Sequence, residues 1–491
     1  MFIYSLLFIL LSLSVNAKTF SAHLNDKRSS YKENEVIRTI FKHDATGATI
    51  DYVTNSGICE TTPGVNQYSG YLSVGTNENM WFWFFEARNR PTTAPLSVWF
   101  NGGPGCSSMV GLFQENGPCH FENGSDEPSL NPYSWNEYSN MLYSTLPISL
   151  HFGRKRLIFL VDQPIGVGFS YGENNVNSTT SSAVLVWKLV QAFYAQFPQY
   201  ENRTFGVFTE SYGGHYGPEF VSYFQSQNMA IKDGRIKAQV IDVKVLAINN
   251  GWYDSAIQTK ALIDYAYKNN YRPLINSTEY NEYIDVYNKH CLPALQNCTS
   301  KVGQDASCAF AFDTCSNYVE GPILNTKDFG IYDVRAPRDD PNPITTYLKY
   351  LNSSQVMNAI GAKVSYTECA NDLFEKFSET GDNARSYIST LSSVVQSGVK
   401  TLIWAGDADW ICNWYGGLDV AQNINYSEST NFKTQKSANY TINGKVGGEF
   451  KTAGNLSWLR VYGGGHEVPY YQPELALQVF RQMFELGILN T

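Results

Sequence analysis

The chain has 491 residues, of which 43% are hydrophobic and 14% aromatic, enough for two average domains or one large elaborated domain. Its formal net charge is −9, from 36 basic and 45 acidic residues, and no basic run stands out. A nucleic-acid partner is therefore not expected, and the low charge content and lack of repeats argue against a disordered or solenoid protein.

The first predicted element is a secretory signal. An apolar run ends at Val15-Asn16-Ala17, with small residues where a signal peptidase acts, so we predict a signal at 1–17 that is cleaved after Ala17. A membrane anchor is the alternative, but the run has about 15 residues and a bilayer needs roughly 20. The C-terminal sequence predicts neither a membrane helix nor a GPI signal. We expect the mature chain, 18–491, to be extracellular, with the vacuole as the alternative.

Sequons and cysteines agree with secretion. The nine cysteines are an odd count, which in an oxidising compartment predicts four disulfides and one free thiol. Nine Asn-x-Ser/Thr sequons predict a glycoprotein. The sequons are Asn123, Asn177, Asn202, Asn276, Asn297, Asn352, Asn425, Asn439 and Asn455.

Short apolar runs rich in β-branched and aromatic residues predict strands along the chain. Two early runs at 68–74 and 80–87 alternate and predict an antiparallel edge. Helical patterns at 182–197 and 217–227 lie between later runs, which predicts an α/β fold with a mostly parallel sheet covered on both faces. The later runs are 96–100, 157–161, 205–208, 243–248, 400–405 and 457–462.

The stretch from about 255 to 365 differs from the rest. It is rich in Tyr and Asn, holds four cysteines and lacks comparable apolar runs, so we interpret it as an inserted cap within a single catalytic domain. In open α/β sheets, ligands bind beyond the carboxyl ends of the strands. Chemistry is therefore expected just after the apolar runs, at Asn101, Asp162, Ser211, Asp409 and His466.

A candidate nucleophile lies in 207-VFTESYGGHYGPEF-220, which approximates the G-x-S-x-G turn of α/β-hydrolases. An apolar run, a turn and a helical pattern follow one another here, as that motif requires. Gly213 supplies one small flanking residue, but Thr209 stands where the motif has glycine. Ser211 is thus a nucleophile candidate, and a Gly-rich structural turn is the alternative.

A base and an acid should follow Ser211 in the order acid, then histidine. His466 lies in a glycine turn after a predicted strand, which lets its imidazole reach over the sheet edge. His215 is expected to be packed or capping and His290 to lie on the surface. Asp407 and Asp409 both follow the run at 400–405, and spacing alone does not choose between them.

Taken together, the motifs resemble the serine carboxypeptidases, the family of carboxypeptidase Y and cathepsin A, and most closely secreted or vacuolar fungal members. The resemblance runs from about residue 59 to the C-terminus and implies an α/β-hydrolase fold. The matching stretches are 99-WFNGGPGCSSMVGLFQENGP-118, 162-DQPIGVGFSYG-172, 210-ESYGGHYGP-218, 405-AGDADWICNW-414 and 463-GGGHEVP-469.

The resemblance implies a role for each site residue. Ser211, Asp409 and His466 match the catalytic triad, and the backbone amides of Gly103 and Tyr212 match the oxyanion hole. Recognition of the substrate's C-terminal carboxylate is carried over to Trp99, Asn101, Gly102, Glu115 and Glu210. Glu115, Glu210 and the substrate carboxylate would repel one another if all three were ionised, so at least one of the two glutamates should hold a proton. This predicts that activity is best at acid pH.

The cysteines fit the same resemblance. Cys106 and Cys369 match a family pair, and the equal spacings in the cap suit the nested pairs Cys291–Cys315 and Cys298–Cys308. Cys59 and Cys119 then remain for each other, and Cys412 matches a free cysteine near the leaving-residue pocket. Glu467 stands where carboxypeptidase Y has Met, and an acidic group in that pocket is expected to favour basic C-terminal residues.

The predicted function is a serine carboxypeptidase that removes C-terminal amino acids from peptides and proteins at acid pH through an acyl-enzyme. An acyltransferase or hydroxynitrile lyase on the same fold is one alternative, and a non-catalytic glycoprotein is another. The sequence holds no spaced His/Cys ligand set and no P-loop, so neither a metal nor a nucleotide cofactor is predicted.

Overall fold

The computed structural model describes residues 27–43, 47–75, 77–144, 167–173, 176–298 and 304–490. The predicted signal at 1–17, the predicted strand at 157–161, Asp162 and the first residues of its motif lie outside the described residues. Within them, no helix combines the length and the apolar character that crossing a membrane requires.

Sixteen strands are formed by the described residues, and fourteen of them belong to one mixed sheet. The order in this sheet is β1-β2-β3-β4-β5-β9-β6-β11-β12-β13-β16-β15-β14, with β10 paired to β5, while β7 and β8 pair separately. The strands are β1 Lys27–Glu33, β2 Val36–Lys42, β3 Thr49–Thr54, β4 Gln67–Gly75, β5 Glu78–Phe85, β6 Leu96–Phe100, β7 Cys119–His120, β8 Ser129–Leu130, β9 Asn140–Ser144, β10 Tyr171–Gly172, β11 Phe205–Glu210, β12 Val243–Asn249, β13 Lys400–Gly406, β14 Ala438–Ile442, β15 Lys445–Ala453 and β16 Leu456–Val461.

The centre of the sheet is parallel and its two sides are antiparallel. Strands β9, β6, β11, β12, β13 and β16 run parallel to their neighbours in that series. On one side β1 to β5 form an antiparallel meander that continues to β9, and on the other β16, β15 and β14 are antiparallel. The fold class predicted from the sequence, an α/β-hydrolase with a mostly parallel central sheet, is confirmed.

Helices cover both faces of this sheet. They are α1 Thr179–Gln196, α2 Gly213–Lys232, α3 Ser255–Tyr267, α4 Ser277–Val286, α5 Leu292–Asn297, α6 Asp305–Cys315, α7 Gly321–Thr326, α8 Thr346–Leu351, α9 Ser354–Ile360, α10 Asn371–Thr380, α11 Ile388–Gln396, α12 Trp414–Asn423, α13 Ser429–Thr434, α14 Val468–Tyr471 and α15 Pro473–Glu485. The stretch predicted to be an insertion, 255 to 365, consists of helices and turns wherever the structure describes it.

The residues of β5 show why both faces of the sheet are apolar. Phe82 and Phe84 belong to the core cluster that also holds Phe220 of α2, whereas Trp81 and Trp83 belong to the cluster that holds Phe480 of α15. Successive side chains of a strand point to opposite faces, so a strand covered on both sides needs apolar residues at every position.

Two disulfides lie within the predicted cap, and a third joins the loop after β3 to β7. Cys59–Cys119, Cys291–Cys315 and Cys298–Cys308 are bonded, in agreement with the pairing expected from the sequence. The fourth expected pair is not formed. Cys106 and Cys369 face each other across an isolated β-bridge, but their sulfur atoms are 3.5 Å apart, well beyond the roughly 2.05 Å of a disulfide. The structure therefore corrects this pairing: the backbones are in register, but the two sulfurs are only in contact.

Candidate active site

Ser211 occupies the sharp turn between β11, which ends at Glu210, and α2, which begins at Gly213. Its φ is 60°, in the left-handed region that a residue with a side chain rarely adopts. Two hydrogen bonds hold it there. The Ser211 N–H donates to the carbonyl of Asn249 at 3.0 Å, and the Trp252 N–H donates to the carbonyl of Ser211 at 2.7 Å. The serine is thus presented at the carboxyl end of the sheet by the end of the neighbouring strand β12.

Thr209 is accommodated because Gly213 leaves room for it. The threonine is fully buried, and its Oγ1 donates to the carbonyl of Gly213 at 3.0 Å. A Cβ placed on Gly213 would lie 2.4 Å from the Cβ of Thr209. One glycine and one hydrogen-bonded threonine therefore satisfy the close approach of strand and helix for which the hydrolase motif uses two glycines.

His466 and Asp409 are brought together by the turns that follow β16 and β13. His466 Nδ1 lies 3.0 Å from Asp409 Oδ2, and both residues are buried. The same carboxylate oxygen accepts from the Asn250 amide at 2.7 Å and from the Cys412 N–H at 3.1 Å. Asp409 is therefore fixed by three contacts on one oxygen, an arrangement that orients an imidazole and selects its tautomer.

The structure distinguishes the other candidate acid and histidines from these two. Asp407 forms a buried ion pair with Arg460 at 3.1 Å and accepts from the Gly463 N–H at 2.9 Å. His215 lies buried with its Nδ1 2.6 Å from the carbonyl of Trp252, and burial lowers its pKa. His290 is exposed and stacks on a tyrosine ring of the cap. None of the three takes part in the contacts around Ser211 described above.

The loop after β6 approaches the nucleophile closely. A Cβ on Gly102 would lie 2.4 Å from the backbone nitrogen of Tyr212 and 2.5 Å from the Cβ of Ser211. Gly103 has a φ of 111°, again in the region that favours glycine. The two segments that carry the expected oxyanion donors, Gly103 and Tyr212, are therefore adjacent, and only a residue without a side chain fits between them.

Asn101 organises a buried polar cluster beside Ser211. Its Oδ1 accepts from Trp99 Nε1 at 2.7 Å and from the Gly111 N–H at 2.9 Å. Its Nδ2 donates to Glu115 Oε1 at 3.0 Å and to Glu210 Oε1 at 3.2 Å. Glu115 ends a short π-helix, Gly111–Glu115, which turns its carboxyl toward β11. The residues expected to bind a carboxylate thus form one connected set.

The two carboxyls of this cluster are in hydrogen-bond contact and are each 3% exposed. Burial raises the pKa of Glu210 well above its usual range, and the negative charge of Glu115 raises it further. Burial also raises the pKa of Glu115, against the effect of its hydrogen bonds to Glu210 and Asn101. The pair therefore retains a proton at a pH where exposed glutamates have lost theirs.

Further acidic groups surround the pair. Burial raises the pKa of Glu467 well above its usual range, and the charges of Glu115 and Glu368 add to this effect. Glu368 accepts from the hydroxyl of Tyr347 at 2.7 Å, and burial raises its pKa to about 7. The site therefore holds four carboxyls whose pKa values are all raised by burial.

Cys412 lies next to the nucleophile. Its buried thiol is in hydrogen-bond contact with the Ser211 side chain, and burial raises the pKa of this thiol. The ligand atoms of Asp409, Cys412 and His466 lie within 4.8 Å of one another, a spacing that also suits a metal ion. Asp409 Oδ2 already has three hydrogen-bond contacts within the protein, from Asn250, the Cys412 N–H and His466, and these contacts hold the group together.

Three residues at the site were not singled out from the sequence. Asn249, the last residue of β12, contacts Glu210, and Asn250, which directly follows it, contacts Asp409. The backbone carbonyl of Tyr332, in the predicted cap, accepts a hydrogen bond of 2.8 Å from the His466 N–H. The two asparagines directly follow the apolar run 243–248, so the rule that directs attention to the ends of strands applies to them as well. For Tyr332, no comparable signal exists in the sequence.

Comparison with known proteins gives one consistent result. A family profile described as serine carboxypeptidase matches residues 57–485. Carboxypeptidase S1 from Penicillium janthinellum is 57% identical over 434 residues, covering 88% of this chain and 98% of that protein. Carboxypeptidase S1 homolog A from Arthroderma otae is 35% identical, covering 89% of this chain and 76% of that protein.

Among solved structures, a prohormone-processing carboxypeptidase from Saccharomyces cerevisiae has a similar fold. The TM-score is 0.72 at 22% identity, with 87% of this chain and 92% of that chain covered. At this level of identity the similarity concerns the fold.

The contact of Asn250 with Asp409 leads to a first prediction. Asn250 has a φ of 39°, so Asn250→Gly suits the backbone while removing the amide that donates to Asp409. A hydrogen bond to a charged group contributes about 1.5–3 kcal/mol, so we expect kcat to fall roughly 10- to 100-fold on peptide and ester substrates alike, with KM unchanged. Steady-state kinetics on both substrates test this.

Asn443→Gly is the matched control for this prediction. Asn443 also has a positive φ, 49°, but lies in the turn between β14 and β15, away from the site. Its substitution should leave both kinetic constants unchanged. A change in KM alone for Asn250→Gly would contradict an orienting role for that residue.

Proposed function

The chain belongs to the serine carboxypeptidase family and is a hydrolase of the exopeptidase class, and from this premise we propose how its residues remove a C-terminal amino acid. Ser211 Oγ attacks the carbonyl carbon of the last peptide bond and passes its proton to the imidazole of His466. The amide groups of Gly103 and Tyr212 hold the resulting oxyanion. The imidazolium protonates the leaving amine, and water then hydrolyses the acyl-enzyme by the same route.

The observation that carries this proposal is that Glu210 and Glu115 both accept a hydrogen bond from the amide of Asn101. Glu210 immediately precedes Ser211 and shares the amide of Asn101 with Glu115. A proton held by the glutamate pair can be donated to a substrate carboxylate, and Asn101 and Trp99 complete the polar wall on that side. A free carboxylate bound there places the last peptide bond of the substrate at Ser211, which accounts for exopeptidase specificity. The same set supports peptide hydrolysis over acyl transfer or lyase chemistry.

Glu467 supports a finer proposal about the leaving residue. It directly follows His466, and its Oε2 is buried and accepts no hydrogen bond from the described residues. Together with Glu368 and Glu115 it gives this part of the site an excess of acidic groups. A basic side chain at the C-terminus of a substrate would compensate that charge once the carboxyl ionises.

We further propose that the enzyme acts in the secretory pathway, outside the cell or in the vacuole. The predicted signal at 1–17 and the nine sequons support this, and so do three disulfides, which persist in oxidising compartments. Glycosylation of the sequons remains a prediction.

The direct test of the proposal uses an N-blocked dipeptide with a free C-terminus at pH about 4–6. We expect release of the terminal amino acid, complete inhibition by a serine-directed phosphonofluoridate, and a much higher KM for the corresponding C-terminal amide. Hydrolysis of acid and amide with equal KM would contradict recognition of the free carboxylate.

Glu210→Gln tests the role of the shared proton. Below the raised pKa values the wild-type pair donates a proton to the substrate carboxylate, and above them the ionised pair repels it, so KM for acid substrates should rise with pH. A glutamine donates at every pH, so this rise should flatten in the variant. The variant should also unfold at a higher temperature than the wild type at alkaline pH, because wild-type stability is lost as a carboxyl with a raised pKa ionises. An unchanged KM profile would contradict the proposal.

Glu467→Gln tests the leaving-residue proposal. In the wild type, the ratio of kcat/KM for peptides ending in Lys and in Leu should increase with pH, because Glu467 becomes charged as the pH rises through its raised pKa. In the variant the ratio should be lower at high pH, by about tenfold, and independent of this ionisation. A wild-type preference for Leu at every pH would contradict it.

A further inference from the structure

Asn249 connects the two halves of the active site. It is the last residue of β12 and is completely buried. Its Nδ2 donates to Glu210 Oε2 at 2.7 Å and to the backbone carbonyl of His466 at 2.8 Å. One amide group thus contacts both a carboxyl of the predicted carboxylate site and the backbone of the predicted base.

The Asn249 contact makes the two oxygens of Glu210 inequivalent. Oε2 accepts from Asn249, whereas Oε1 accepts from Asn101 at 3.2 Å, on the side where Glu115 also binds Asn101. With a donor on each oxygen, the plane of the Glu210 carboxyl cannot rotate without losing a buried hydrogen bond. The amide oxygen of Asn249 accepts no hydrogen bond from any described residue, so the polar contacts of this amide are those of its nitrogen.

We propose that Asn249 is a positioning residue of the carboxylate site: by donating to Glu210 Oε2, it directs the proton of the glutamate pair to the side of Glu210 that faces Asn101 and Glu115. The inference rests on the proposed function, in which this proton binds the substrate carboxylate. Without Asn249, Glu210 Oε2 has no donor among the contacts described above, and the proton can move to that oxygen, away from Asn101.

The groups around Glu210 determine the expected effect on pH dependence. Glu115 faces it from the π-helix, Glu467 from the turn after β16, and Cys412 from the turn after β13, while His466 acts on Glu115. Burial and the charges of Glu115 and Glu467 raise the pKa of Glu210, while the bond from Asn249 lowers it. Removing this donor therefore raises that pKa further, so the pair keeps its proton to a higher pH.

The experiment compares the wild type with Asn249→Leu, which removes the donor while keeping the branching and the number of heavy atoms of the side chain. KM and kcat are measured from acid to alkaline pH for an N-blocked dipeptide and for its C-terminal amide. We expect KM for the acid substrate to be higher than the wild-type value at acid pH, because the proton is no longer directed toward Asn101. We also expect the alkaline rise of this KM to move up by about one pH unit, as loss of a charge-assisted hydrogen bond implies. The amide kinetics should keep their wild-type pH dependence, because that substrate has no carboxylate. If the leucine variant does not fold, Asn249→Ala is used, with the same expectation.

Asn250→Gly is the matched comparison, because it removes the neighbouring amide, which contacts Asp409 instead of Glu210. It should lower kcat on both substrates and leave the KM profile in place. A KM rise that stays at the wild-type pH in Asn249→Leu, or an equal shift for acid and amide, overturns the proposal, since either result indicates a purely structural asparagine. If the wild type itself shows no KM rise and no preference for the acid, the proposed carboxylate site fails, and the role of Asn249 fails with it.

Discussion

The backbone of Ser211, held at a φ of 60°, is the constraint on which the site depends. A residue with a side chain keeps this conformation only when its surroundings leave no alternative. Here the end of β12 and the turn after it supply them: the Ser211 N–H donates to the Asn249 carbonyl, and the Trp252 N–H donates to the Ser211 carbonyl. This tight turn also requires two glycines. A Cβ on Gly102 would collide with the Tyr212 backbone, and a Cβ on Gly213 would collide with Thr209. The position of the nucleophile is therefore a property of three segments that are distant in sequence.

Adjacent residues of the chain contact different parts of the site, one the proposed catalytic groups and the other the proposed carboxylate-binding groups. Glu210, the last residue of β11, belongs to the buried carboxyl cluster, and Ser211, which directly follows it, is the proposed nucleophile. At the end of β12, Asn249 contacts Glu210, while Asn250 contacts Asp409. Because successive residues at the end of a strand point in different directions, one short segment can serve both tasks.

Much of the architecture could be predicted from local patterns. The runs at 96–100, 205–208, 243–248 and 400–405 all lie in buried parallel strands, because an apolar run bounded by polar residues is the mark of a strand covered on both faces. Strands β1 to β3, β14 and β15 were missed because they lie on the antiparallel sides and mix polar with apolar residues. The short buried strand β9, which pairs with β6 in parallel, was missed as well. The expected Cys106–Cys369 bond was wrong because a matching pair of cysteines says nothing about the final separation of the sulfurs, which is 3.5 Å.

The sequence by itself determined the kind of chemistry: a serine between a strand and a helix, an acid and a histidine after later strands, and a glutamate beside the serine. These features can be recognised from the type and order of the residues, because each strand–turn–helix unit is encoded by one short stretch of sequence. Only the tertiary structure decided that Asn249 joins Glu210 to the histidine segment and that Tyr332 of the cap holds the His466 backbone. Such contacts connect residues far apart in the chain, and differences of about 1 Å in packing, which no local pattern encodes, decide whether a hydrogen bond forms.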